Sequence, residues 1–325
     1  MHKRGLILLA GAGAFVAACG GSSVASNDGS PLTIDDGGKP YVPPDPPPGC
    51  TPATQVTQSC ANGFCQIPPG CFLVGSPPSD PCRDADETQH WVTLTRAFEL
   101  AQTEVTQLEY HAQMGQNPAK FTACGGTCPV ETVTWHMAAA YANNVSTSAG
   151  LAACYDCTGT GATVSCAPAA AYTGGGHSIY DCPGYRLPTE AEFEYAARAG
   201  TTTQLYDGVI TKCFEADPNA DVIGWYIFNT TTNPGPRAVG LKQPNAWGLY
   251  DMGGNVEEWI EDGYDAYPTG PVIDPVAPLT IDTSYAARGG SWVTYPKDMR
   301  GCDRNQFVGS EPLSYRGFRL ARTRP

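Results

Sequence analysis

The chain has 325 residues, of which Gly and Pro make up 66, a density of turn formers that excludes a long helical bundle and a regular parallel sheet. Its 19 basic and 32 acidic side chains leave a net charge of −13, which argues against nucleic acid as a partner. Fourteen cysteines are too many for an ordinary cytosolic enzyme and point to an oxidising compartment.

In chain order, residues 1–18 read as an export signal. His2-Lys3-Arg4 give a positive start, and Gly5 to Ala18 form an apolar run too short to span a bilayer as a mature helix. Val16-Ala-Ala-Cys19 reads as a bacterial lipobox, with cleavage before Cys19 and lipidation of its thiol; an uncleaved signal anchor is the alternative. Gly20 and Gly21, rather than Asp, follow the cysteine, so an extracytoplasmic, membrane-anchored lipoprotein at the outer membrane or cell surface is expected. Residues 19–49 are Gly, Ser and Asp first and Pro43-Pro-Asp-Pro-Pro-Pro48 last, a flexible tether stiffening toward polyproline II. Residues 50–325 are long enough for one large core. Without Lys3 and Arg4 the mature part carries 17 basic against 32 acidic side chains, a net of −15.

Within 50–325 the strand candidates are short: Cys71–Val74, Trp91–Thr95, Trp225–Phe228 and Ala286–Trp292. Three helices carry start signals. Thr106-Gln-Leu-Glu109 is a capping box opening a helix toward Met114, and Thr134 can cap a helix through Ala138, Tyr141 and Val145. Thr189-Glu-Ala-Glu192 is a second capping box, opening a helix to about Arg198 on which Glu190 and Glu194 share a face, with Arg186 and Arg198 as ion-pair partners. Asp274 to Ser284 reads as an inserted loop. The result is an α+β domain with short helices, short antiparallel strands and much loop.

Thirteen cysteines remain after Cys19, an odd number that leaves at least one thiol free or paired outside the chain. Cys154, Cys157, Cys166 and Cys182 admit a zinc site, but Thr158-Gly-Thr-Gly161 between them looks like a turn that lets Cys157 and Cys166 face each other in a hairpin.

Four blocks in order carry a resemblance: Tyr185-Arg-Leu-Pro-Thr-Glu-Ala-Glu-Phe-Glu-Tyr195, Gly248-Leu-Tyr-Asp-Met-Gly-Gly-Asn-Val-Glu-Glu-Trp259, Arg288-Gly-Gly-Ser-Trp292 and Gly317-Phe-Arg319. Val74-Gly-Ser76, Glu87 to Leu94, Thr103-Glu-Val-Thr106 and Pro129 to Trp135 precede or accompany them. Together they resemble the sulfatase-modifying-factor family, whose founding member is the formylglycine-generating enzyme. The resemblance implies a loop-rich fold, a divergent relative of the C-type-lectin fold that often holds calcium. It implies a calcium ion at Asp251 and Glu258, through their side chains, and at Gly254 and Val256, through their carbonyls. The alternative is that both carboxylates satisfy backbone groups of a buried turn.

Active members hold copper between two cysteines just after Gly-Gly-Ser-aromatic. Here Val293 to Met299 fills that segment with no cysteine; Thr294 stands where the first is expected, Met299 offers only a thioether, and Cys302 beyond reads as a disulfide partner. Glu257 also stands where the family usually has Trp. Copper is therefore not expected. The resemblance leaves a cleft with Ser291, Trp292, Tyr295 and Arg304 as candidates for contact with a peptide, protein or glycan. A non-oxidase binding or accessory protein is the reading; an oxygen-dependent oxidoreductase making formylglycine with a non-standard metal site is the alternative.

Overall fold

Turn formers, disulfides and short apolar alternations build this fold more than long elements do. The computed structural model describes residues 41–52, 58–279 and 284–324; Cys19 and the signal segment lie outside them. Four helices are present among these residues: α1 Gln107–Met114, α2 Trp135–Ser148, α3 Glu190–Arg198 and α4 Pro218–Ile223. The first three begin where the capping signals placed them. Thr106 and Thr189 each close a reciprocal capping box, with Glu109 and Glu192, and Thr134 accepts the Met137 N–H at 3.0 Å. α4 was missed, although Asp217 caps it and Pro218 stands in its first turn. No helix among the described residues is long and apolar enough to cross a membrane.

The strands form small sheets. Cys60–Ala61, Phe64–Ile67, Phe98–Ala101 and Ala321–Thr323 pair antiparallel in that order. A second sheet runs Asn305–Val308, Ser284–Arg288, Glu257–Gly263 and Arg316–Gly317. The expected antiparallel pattern gains two exceptions: Arg316–Gly317 pairs parallel with Glu257–Glu258, and Val272–Ile273 pairs parallel with Val92–Thr93 beside the hairpin of Gly70–Val74 and His90–Leu94. The expected strand at Trp225–Phe228 does not form. Asn229 accepts the Tyr226 N–H through its side chain at 2.9 Å and donates its own N–H to the Tyr226 carbonyl at 3.1 Å, which folds the segment into a turn. The last candidate is a strand only to Arg288, because Gly289 and Gly290 both take positive φ.

A compact unit runs from Val42 to Pro325. Its apolar groups divide around α3 and the first sheet, around α2 and the strand Glu257–Gly263, and around α4. Two fully buried tryptophans join α2 to that strand: the Trp135 indole donates to the Ile260 carbonyl at 2.8 Å, and the Trp259 indole to the Val133 carbonyl at 3.0 Å. Six disulfides pair twelve cysteines: Cys50–Cys71, Cys60–Cys65, Cys82–Cys213, Cys124–Cys128, Cys154–Cys182 and Cys157–Cys166. The hairpin reading of Cys157 and Cys166 holds, for they face each other in the register of Tyr155–Thr158 against Ser165–Pro168. Cys302 is free rather than disulfide-bonded. It is buried at 2% exposure, where the Arg300 guanidinium donates to its sulfur at 3.5 Å.

Candidate functional site

The second sheet brings the sequence blocks together. Glu258 stands opposite Arg288 on one side and Gly317 on the other, and the Gly254 N–H donates to the Gly289 carbonyl at 2.7 Å. Both glycine turns depend on close approach: a Cβ on Gly254 would fall 2.5 Å from the Trp225 carbonyl, and one on Gly290 would fall 2.6 Å from the Asp298 carbonyl.

Ser291 to Met299 is closed internally. The Thr294 hydroxyl accepts the Ser291 N–H at 2.8 Å and donates to the Ser291 carbonyl at 3.0 Å. Ser291 Oγ is buried without a partner among the described residues. Trp292 is half-buried, its N–H on the Asn255 carbonyl at 2.9 Å and its ring edge-on to Phe121 at 5.2 Å. Tyr295 is 40% exposed and packs on Phe214, itself 61% exposed. Met299 points the other way, buried in the apolar cluster with Ile223 and Tyr226. Trp292 and Tyr295 are thus the aromatic groups this segment presents, while Trp247 and Trp259 are core.

Arg304 does not share that surface. Glu190 holds its guanidinium through two contacts at 2.7 and 2.8 Å, and the Tyr264 and Tyr267 rings lie 4.5 and 3.8 Å from it. It lines a separate cavity of about 400 Å³ with His90 and Asp262. The other α3 carboxylates are likewise structural: Glu192 takes Arg186 at 2.7 and 2.8 Å, and Glu194 takes Arg198 and Arg288. Glu257 pairs with Arg316 at 2.9 Å, and Arg316 in turn lies over the Phe307 and Trp259 rings.

A second constellation surrounds the turn at Asp251. Asp251 is 1% exposed; its Oδ2 accepts the Gly240 N–H at 2.7 Å, while Oδ1 meets no N–H or hydroxyl donor among the described residues. Glu258 is fully buried and held by Arg319, Nε to Oε2 and Nη2 to Oε1, each at 2.7 Å. Arg319 also donates to the carbonyls of Tyr250 at 3.0 Å and Ala101 at 3.1 Å. The sequence reading missed Glu104. It is 1% exposed, its carboxyl meets that of Asp251 in a hydrogen bond but no N–H or hydroxyl donor among the described residues, and burial first, then Asp251 and Glu258, push it well above the ordinary range. Nothing short-range marks it, for its neighbours Thr103, Val105 and Thr106 are those of an ordinary segment before a helix cap. Glu104 lines a cavity of about 510 Å³ that also touches Gln102, Tyr141, Gly240 and Tyr250.

The sulfatase-modifying factor enzyme 1-like domain matches residues 51–324. The chain belongs to that family. Among relatives of the family, the chaperone protein LppX of Paenibacillus barcinonensis is 30% identical over 225 residues, which cover 62% of this chain and 71% of LppX. The formylglycine-generating enzyme of Streptomyces coelicolor is 32% identical over 147 residues, 42% of this chain and 46% of that enzyme. Less than half of that enzyme's length is therefore spanned. Among solved structures, variable protein 1 of Treponema denticola is similar with a TM-score of 0.65 and 29% identity, over 80% of this chain and 95% of that one.

Proposed function

We propose that this chain is an exported, lipid-anchored accessory member of the family, one that holds a peptide or protein segment on the surface of Trp292 and Tyr295 and does not oxidise thiols. The observation that carries the reading is the Ser291–Met299 segment. Where active members of the family need a soft copper(I) pair, Thr294 spends its hydroxyl on closing the Ser291 turn and Met299 is packed in the core. Cys302 does not restore the chemistry: burial, opposed only in part by Arg300, pushes its thiol up, so little thiolate forms at neutral pH. The likeness to LppX, a protein named as a chaperone, supports an accessory role. The six disulfides fit an oxidising compartment outside the cytoplasm, and the anchor would be Cys19.

Calcium is part of the proposal. Three buried carboxyls, Glu104, Asp251 and Glu258, face a single guanidinium, Arg319. Fully ionised they carry more negative charge than Arg319 offsets, and the oxygens of Glu104 and Asp251, which meet each other but no other donor among the described residues, are the hard donors a divalent ion takes. Glu104, Asp251 and Glu258, with the carbonyls of Gly254 and Val256, would hold the ion, which supplies charge neutralisation and ties α1's entry to the Asp251 turn.

The test incubates the full chain with calcium, copper, oxygen and a reductant, and follows a peptide containing Cys-x-Pro-x-Arg by mass spectrometry. No aldehyde is expected, together with saturable binding to peptides that weakens at least tenfold in Tyr295→Ala. Turnover above a heat-killed control would overturn the reading in favour of an oxidoreductase and direct attention to Cys302.

A further inference from the structure

A cavity of about 510 Å³ lies between the first sheet and α2, within the roughly 300–1,000 Å³ of small-molecule sites, and neither Trp292 nor Tyr295 lines it. Its walls are set before any ligand arrives. Gln102, just past the strand Phe98–Ala101, donates its N–H to the Gly63 carbonyl at 2.8 Å and accepts the Tyr250 N–H on its own carbonyl at 2.8 Å. This ties the turn between the first two strands to the segment before Asp251. α2 supplies Tyr141 and Val145, one helical turn apart. The Tyr141 ring stacks on Tyr110 at 5.4 Å and meets Phe318 edge-on at 5.3 Å, which fixes its place.

Several neutral polar groups reach this space with no protein partner among the described residues. Tyr141 is 6% exposed, yet its hydroxyl stays open to the cavity, whereas that of its stacked neighbour Tyr110 is closed off by the core. Burial first, then Glu109 and Tyr110, push the Tyr141 hydroxyl up, so it remains a donor in neutral solution. Tyr250 brings a second free hydroxyl. Gln102 spends its amide nitrogen on the Gly248 carbonyl at 3.3 Å and leaves its amide oxygen free. Asn62 and Thr103 add an amide and a third hydroxyl, and Phe64, Val145 and Leu320 supply the apolar wall.

The ligand class follows by exclusion. No lysine, arginine or histidine among the described residues lines the cavity, while Glu104 and Glu109 do, so an anion finds no counter-charge. An apolar ligand would strip water from the hydroxyls and the amide oxygen and return nothing. An ammonium would satisfy the Gln102 oxygen but offer no acceptor to the tyrosine O–H groups, and Glu109 already holds the Thr106 N–H at 2.8 Å. A ring with several adjacent hydroxyls serves every group, because each hydroxyl both donates and accepts. We propose that this cavity binds a neutral pyranose, whose hydroxyls bond Tyr141, Tyr250 and Gln102 and whose C–H face lies against Phe64, Val145 and Leu320. The carboxyl oxygens of Glu104 are closed off from it, so the sugar does not depend on an ion at Glu104, Asp251 and Glu258. The site is independent of the reading given for Trp292 and Tyr295. Free monosaccharides and the ends of glycan chains share this chemistry.

Saturation-transfer NMR titrations on the full chain, in EGTA and in calcium, test this with the methyl β-glycosides of glucose, galactose and N-acetylglucosamine and the matching β-1,4-linked disaccharides. Cyclohexanol, glucuronate and butylammonium are the misfits in ring polarity and charge. At least one hexoside is expected to bind, equally in EGTA and in calcium, and roughly tenfold or more tighter than every misfit. A tighter disaccharide assigns the site to a chain end, and equal or weaker binding assigns it to a single sugar. Tyr141→Phe keeps the stack on Tyr110 and removes the hydroxyl; it should weaken binding roughly tenfold, the share of one hydrogen bond. Val145→Trp, which fills the cavity and leaves the polar groups intact, should abolish it. The proposal is overturned if no hexoside binds at millimolar concentration, if a misfit binds as well as the best hexoside, if binding is seen only with calcium, or if either variant, folded by circular dichroism, binds unchanged.

Discussion

Replacing Glu104 by Gln separates a cation site from a merely strained carboxyl. In wild type, Glu104 and Asp251 lie buried against each other with no other donor among the described residues on Glu104 or on Asp251 Oδ1, and Arg319 is spread over Glu258 and the carbonyls of Ala101 and Tyr250. An ion binding only the folded state at one hundred times its dissociation constant stabilises by about 2.7 kcal/mol. For a domain of this size that is a rise in melting temperature of roughly 5 °C. Glu104→Gln keeps the shape and deletes one formal charge and one hard ligand. If affinity falls tenfold, the same calcium concentration stabilises by about 1.4 kcal/mol, roughly half the wild-type shift. In EGTA the order should reverse, with the variant at least as stable as wild type, because a carboxyl buried against another carboxyl has been removed from the interior. Differential scanning calorimetry of both proteins, in EGTA and in a calcium series, measures all four states. A wild type indifferent to calcium, or a variant with the full wild-type shift, refutes the reasoning.

The disulfides should rank by the loops they close. Removing Cys82–Cys213, whose partners are 131 positions apart, should cost about 5 kcal/mol by chain entropy, and removing Cys60–Cys65, separated by five, about 2 kcal/mol; urea denaturation of the two double-serine variants checks the order, and equal losses would refute it. The carboxyls of Glu261 and Asp262, pushed by burial to about 8 and about 7, are protonated in the fold at pH values where the unfolded chain has released those protons. The folded state then binds more protons, so stability is highest below the ordinary carboxylate range and falls as pH rises toward 7 and 8. Each group contributes a slope of about 1.4 kcal/mol per pH unit inside its window. Denaturation midpoints of wild type and Glu261→Gln between pH 5 and 8 should diverge in slope, and parallel curves would sink the assignment. Arg300→Met should cost about 3–5 kcal/mol in the same assay, since it removes both guanidinium contacts to Glu87, at 2.6 and 2.7 Å, and leaves its buried charge to the Ser76 hydroxyl and the Asp84 N–H; a loss below 1 kcal/mol would contradict the burial argument.

The helices were legible because their start signals are local chemistry. Thr106, Thr134 and Thr189 cap α1, α2 and α3 where the spacing said they would. Trp225–Phe228 misled because an aromatic run satisfies a strand pattern equally well as a turn, and the side chain of Asn229 decided between them. The site was readable as a set of blocks, but not the sorting of its members. Ser291, Trp292 and Tyr295 stay on one segment, whereas Arg304, four residues beyond Arg300 in sequence, is drawn by Glu190 to another cavity. Glu104 was invisible as a candidate because nothing short-range marks it; only the parallel pairing of Gly317 with Glu258, and the neighbouring Arg319, bring a carboxyl from before α1 against the Asp251 turn.

The buried arginines explain how a loop-rich scaffold tolerates change at its centre. Four of them join a carboxylate to a backbone carbonyl: Arg198 donates to Gly75 as well as Glu194, Arg300 to Lys297 as well as Glu87, Arg304 to Asp265 as well as Glu190, and Arg319 to Tyr250 and Ala101 as well as Glu258. Apolar replacements that pack as well would still orphan those carbonyls, so the pairs do here what sheet ladders do in regular folds. None of these pairs uses a side chain between Ser291 and Tyr295. That stretch hangs from Gly289 and Gly290 at one end and from the core-packed Met299 at the other, closed by the Thr294 hydroxyl. Its residues can therefore differ from those of a thiol-oxidising relative without loosening the frame, and the surface they present, with Trp292 and Tyr295, can take up a binding role.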